Sequence, residues 1–116
     1  MDEARARELL SAERARIERE LAELEPAGDD GEIAHGDQHL ADEAWDLYED
    51  ERRAGRLEEL QDELQAVERA EERLEAGTYG ISVESGLPIP DDRLEAFPTA
   101  ERTVEEERRR ERDPDA

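Results

Sequence analysis

His35 and His39 stand four residues apart with Asp37 and Asp42 beside them, a set of nitrogen and oxygen donors that could present a divalent metal. Gly36 lies between the two histidines and disfavours the helix that such spacing needs. The ordinary reading is two exposed polar side chains at a loop–helix junction. The run Asp29-Asp30-Gly31-Glu32 lacks the alternating oxygen ligands of a calcium loop. The chain has no cysteine, which removes disulfides, thiolate metal sites and thiol nucleophiles together. Neither histidine has a fixed neighbour to orient it, and no glycine-rich phosphate loop is present, so no catalytic residue and no cofactor is expected. Asp42 remains as a carboxylate with two readings: a charge presented to a partner, or a cap that complements the N-terminal dipole of a helix. Asp37 is similar and closer to plain loop chemistry.

Composition narrows the partner. The 116 residues carry a formal charge of −21, with 46% charged residues and only 3% aromatic. Such a chain repels phosphate backbones and anionic membrane surfaces, leaving a basic protein surface or channel as the sensible partner. Its richness in Ala, Glu, Leu and Arg is that of long exposed helices or a coiled coil. All 16 basic residues are arginine, which a high-GC genome would account for. The first 30 residues do not resemble a signal peptide, and no apolar run approaches the roughly 20 residues of a membrane span, so a cytoplasmic location is expected.

The elements that position these groups are helical. Leu10, Ile17 and Leu24 recur every seven residues, with Leu21 added, predicting a first helix from Asp2 to about Glu25 that Pro26 ends. Gly28, Gly31 and Gly36 mark a loop that lets a second helix fold back. That helix is predicted to start between Asp37 and Asp42 and to run to Ala76, capped by Gly77. Leu57, Leu60, Leu64, Val67 and Leu74 form its apolar seam, with Glu71 intruding, and an irregularity is expected near Arg52, Arg53 and Gly55. Trp45 and Tyr48 are read as packing under the first helix, with partner anchoring as the alternative. Farther on, Tyr79, Ile81, Val83, Leu87, Ile89, Leu94 and Phe97 supply a small core. Asp91 or Asp92 is expected to cap a short helix through Ala96, and Thr99 a last helix through Arg112. The arginines 108–110 and 112 suit the C-terminal end of that helix beside Glu105, Glu106 and Glu107.

The order Asp37-Gln38-His39-Leu40-Ala41-Asp42-Glu43-Ala44, Leu47-Tyr48-Glu49, Gly77-Thr78-Tyr79-Gly80-Ile81, Pro88-Ile89-Pro90 and Arg93 to Ala100 resembles the DksA/TraR family of bacterial RNA polymerase-binding regulators. The resemblance covers roughly residues 36–106. With the helices read above, the expected fold is an all-α antiparallel hairpin at 1–76 with an acidic tip loop at 26–41 and a disordered tail at 113–116. The resemblance implies a small zinc-finger-like module with a C-terminal helix at 77–112. In that family the hairpin enters the polymerase secondary channel and acidic tip residues act near its active site. Carried over by position, the tip residues are Asp37, His39, Asp42 and Ala44, with His39 where the family's pattern has an aspartate. The family's four zinc cysteines fall on Ser82, Ser85, Thr103 and Glu106. Hydroxyls are poor zinc ligands, so the expected finger is metal-free. The implied function is a transcription regulator whose acidic tip modulates initiation. The alternative is an acidic helical adaptor or homodimer that has left the polymerase.

Overall fold

The computed structural model describes residues 1–24 and 40–113, with the side chains of 40–47 left aside. The chain is all-α: α1 spans Glu3–Leu24, α2 Leu40–Ala76, α3 Asp91–Ala96 and α4 Val104–Arg112. Among the described residues, extended pairing is limited to one isolated antiparallel bridge, Ile81 with Pro88. No described helix is long and apolar enough to cross a membrane. The loop glycines, His35 and most of the 26–41 loop lie outside the described residues, as does the tail from 114 onward.

Two compact units divide the chain, Ala15–Leu64 and Met1–Arg14 with Gln65–Ala116. In the first, Ile17 and Leu60 are fully buried, while Leu21, Leu24, Leu57 and Leu64 are half-buried. Arg16 reaches Glu63 at 2.8 Å and Glu20 receives Arg56 at 2.7 Å, so the partner number falls as the α1 number rises. The two helices are therefore antiparallel, an ion-pair-edged hairpin with a narrow apolar seam. Two expectations need correction here. α2 continues without interruption through Arg52, Arg53 and Gly55; the added Cβ of a residue at 55 would meet only open space, so the missing apolar seam residues cost no helix. Tyr48 is not buried beneath α1: it is 51% exposed, with the Arg52 guanidinium 5.8 Å from its ring centre.

In the second unit Ala6, Leu10, Val67 and Ala70 are buried. Alanines 6 and 70 belong to the seam, although a search for large apolar residues passes them over. The intruding Glu71 is accommodated by Arg14, whose Nη2 and Nε approach its two carboxylate oxygens at 2.7 and 3.1 Å. α2 ends as expected. Gly77 adopts φ 80°, its N–H bonds the Leu74 carbonyl, and the Thr78 N–H bonds Arg73, which satisfies carbonyls that the helix leaves open.

Beyond Gly77 the packed centre is Ile89, Leu94 and Ala100, with Tyr79 against it. Ile81, Val83, Leu87 and Phe97, expected in this core, are exposed. The reason is local. Ser82 turns inward at the bridge, so its alternate neighbours Ile81 and Val83 face outward. The caps also differ from expectation. Pro90 holds the N-cap position of α3, with Asp91 and Asp92 in its first turn. Thr103, not Thr99, caps α4.

Candidate functional site

The densest polar constellation gathers where the 82–87 turn meets the start of α4. Gly86, at φ 76°, closes the turn by donating to the Ser82 carbonyl at 3.0 Å. The Ser82 N–H bonds the Leu87 carbonyl and the Val83 N–H bonds Glu101, which fixes the turn against the approach to α4. Ser82 Oγ accepts the N–H groups of Glu84 at 3.0 Å and Ser85 at 3.1 Å. Ser85 Oγ accepts the Leu87 N–H at 3.2 Å.

From the other side Thr103 and Glu106 form a reciprocal capping box. The Glu106 N–H donates to Thr103 Oγ1 at 3.2 Å, and Glu106 Oε1 accepts the Thr103 N–H at 2.9 Å. The same Oε1 accepts the Ser82 hydroxyl at 2.7 Å. Glu106 is thus a carboxylate only 4% exposed, and Ser82 is equally buried. The hydroxyls of Ser85 and Ser82, followed by the Thr103 N–H, hold its carboxyl down to about 2 from an ordinary 4.5. A buried carboxylate is tolerable only when its lone pairs are occupied in this way.

Surrounding contacts lock the region to the hairpin. Glu101, just before the α4 cap, receives Arg69 at 2.9 Å and Arg73 at 3.0 Å from α2. The Tyr79 hydroxyl donates to the Pro98 carbonyl at 2.7 Å, and burial raises the phenol's pKa. Arg93 Nε donates to the Arg102 carbonyl at 2.9 Å. Arg5 of α1 grips both oxygens of Glu95 in α3, with Nε at 2.8 Å.

The structure therefore brings together Ser82, Ser85, Thr103 and Glu106, residues distant in sequence. Their chemistry does not fit a structural zinc. Three are hydroxyls, neutral near pH 7, and the Ser82 oxygen already donates once and accepts twice. Of the tip residues, Asp42 and Ala44 fall in the opening turns of α2, whereas Asp37 and His39 lie outside the described residues. The Thr103–Glu106 capping box was legible as Thr-Val-Glu-Glu ahead of the last helix, but the competing threonine at 99 masked it.

No family model matches the chain. Its structure is similar to that of the transcription factor DksA2 from Pseudomonas aeruginosa, with TM-score 0.75 and 32% identity, covering 98% of this chain and 86% of that one. Among curated proteins it is 41% identical over 70 residues to an uncharacterised Bacillus subtilis (strain 168) protein, YteA. It is 40% identical over 77 residues to general stress protein 16O of the same organism. Those matches cover 60% and 65% of this chain but only 29% and 47% of the two Bacillus proteins. The chain is a DksA-like helical hairpin. The structural neighbour that carries this statement is a transcription factor.

Proposed function

We propose that the chain is a transcription regulator of the DksA/TraR type that binds RNA polymerase through its secondary channel. The observation that carries this reading is the likeness to DksA2, a transcription factor, over 98% of the chain. The geometry suits it. Within Ala15–Leu64 the antiparallel helix pair is edged by ion pairs, a charged exterior suited to a basic, solvated channel. The net charge of −21 favours a basic channel wall over nucleic acid. In this reading Asp37, His39, Asp42 and Ala44 form the working end. Asp42 presents a carboxylate near the polymerase active site and thereby modulates initiation.

The test is retention of the host's RNA polymerase on the immobilised full-length chain, with excess of a known secondary-channel factor as competitor. Retention that the competitor displaces supports both partner and docking site. Absence of retention at micromolar protein would refute polymerase binding and turn attention to the adaptor reading.

A further inference from the structure

We propose that Glu106 is the keystone of a metal-free brace, its carboxylate joining the 82–87 turn to α4 by hydrogen bonds where four cysteines would join them through a metal. This does not rest on polymerase binding. It rests on the convergence of Ser82, Ser85, Thr103 and Glu106, which the bound-metal chemistry of the family does not explain with these side chains.

A structural zinc ties two chain segments together by taking two ligands from each. Here the same topology is achieved with a single anion. One segment contributes the Ser82 hydroxyl at 2.7 Å and the other the Thr103 N–H at 2.9 Å, both on Glu106 Oε1, and the Ser85 hydroxyl adds to the lowering of its pKa. The serine hydroxyls are not free to point elsewhere. Ser82 Oγ is held by the Glu84 and Ser85 N–H groups, and Ser85 Oγ by the Leu87 N–H, so each hydroxyl proton is aimed by backbone donors that occupy its lone pairs. An anion accepting hydrogen bonds from preset donors needs no thiolate and no cation. Burial of its charge is compensated at the start of α4, where the helix dipole favours negative charge. The brace matters because the apolar centre beside it is small: Ile89, Leu94 and Ala100 with Tyr79.

The experiment compares the full-length wild type with Glu106→Ala, Glu106→Gln and Ser82→Ala. Amide hydrogen exchange is read at Glu84, Ser85 and Thr103, together with the thermal midpoint with and without EDTA. In the wild type EDTA is expected to change neither. Glu106→Ala leaves the Ser82 hydroxyl and the Thr103 N–H without their acceptor, so exchange at the three amides should rise by about ten- to hundredfold. Glu106→Gln keeps a carbonyl acceptor but loses the charge, so it should fall between wild type and Glu106→Ala. Ser82→Ala should accelerate Glu84 and Ser85, whose acceptor it removes, more than the distant Ile89. If Glu106→Ala does not fold, the Gln and Ser82 variants decide the matter. Unchanged exchange at all three amides in the Gln and Ser82 variants overturns the keystone role. A fall in midpoint with EDTA, or zinc co-purifying at one per chain, overturns the metal-free brace.

Discussion

Leu94 and Phe97 were equal members of the core expected from sequence, yet Leu94 is 1% exposed and Phe97 52%. Truncating each to alanine separates packing from composition. Leu94 sits among Ile89, Ala100 and Tyr79, and its Cδ1 lies 3.5 Å from where a Cβ on Gly80 would stand. Removing its side chain leaves a cavity walled partly by backbone, which collapses poorly. Leucine-to-alanine changes in such places cost about 2–5 kcal/mol; a small unit with partly exposed walls belongs near ~2–3. For a domain of this size that is a fall in thermal midpoint of roughly 6–15 °C. Phe97 already gives half its surface to water and otherwise offers its ring to the Arg93 guanidinium, 5.6 Å from the ring centre. Its truncation should cost less than about 1 kcal/mol. The assay is urea unfolding followed by far-UV circular dichroism, with amide exchange at Ile89 and Ala100 to localise the loss. Equal costs for the two variants would refute the assignment of the core to Ile89, Leu94 and Ala100.

Two further outcomes follow from the polar groups. Because the folded-state pKa of Glu106 is depressed to about 2 from 4.5, its contribution to stability is fully present above pH 4.5 and is lost as pH falls toward 2. Wild type should therefore lose more stability than Glu106→Gln on acidification between those values, and parallel losses in the two proteins would contradict the depressed pKa. Under the proposed function, Asp42→Asn should abolish the effect on sensitive promoters while leaving polymerase retention nearly intact; a variant as active as wild type in reconstituted transcription would remove Asp42 from the mechanism.

Long-range order in this chain was legible where one side-chain type repeats. Heptad spacing of Leu10, Ile17 and Leu24 placed α1 to within a residue at each end, and Gly77 marked the end of α2 because a φ of 80° is costly for other residues. Small residues were the blind spot. Ala6, Ala70 and Ala100 are buried, but alanine is equally at home on an exposed helix face and gives no periodic signal of its own. The segment after Gly77 was the hardest to read, since its inward residue at the bridge is Ser82, so counting apolar side chains assigned the flanking Ile81 and Val83 to the wrong side. Ser82, Ser85 and Thr103, the three positions gathered around Glu106, became visible through a family resemblance. Periodicity carries no information about a hydroxyl aimed at a carboxylate 24 residues away.

Arginine usage takes on a physical sense once the pairs are placed. Arg14 meets Glu71, Arg5 meets Glu95 and Arg56 meets Glu20 with two nitrogens each, a forked contact that a lysine ammonium cannot make. Individually such solvent-screened pairs contribute little to stability. Their larger effect is on charge distribution. Arg14, Arg16, Arg56, Arg69 and Arg73 are committed to carboxylates of the same chain, so they offer little cationic surface to an outside ligand. The excess of 37 acidic over 16 basic residues is then what a partner meets. An acidic exterior steers the hairpin toward a basic surface and away from nucleic acid, and that steering weakens as salt rises. Under the proposed function, association with a basic channel should therefore slow with increasing ionic strength, while the brace around Glu106, buried and hydrogen-bonded, should be nearly indifferent to it. The same anionic chemistry thus divides by burial: exposed carboxylates set the long-range field of the chain, and one buried carboxylate helps join the 82–87 turn to α4.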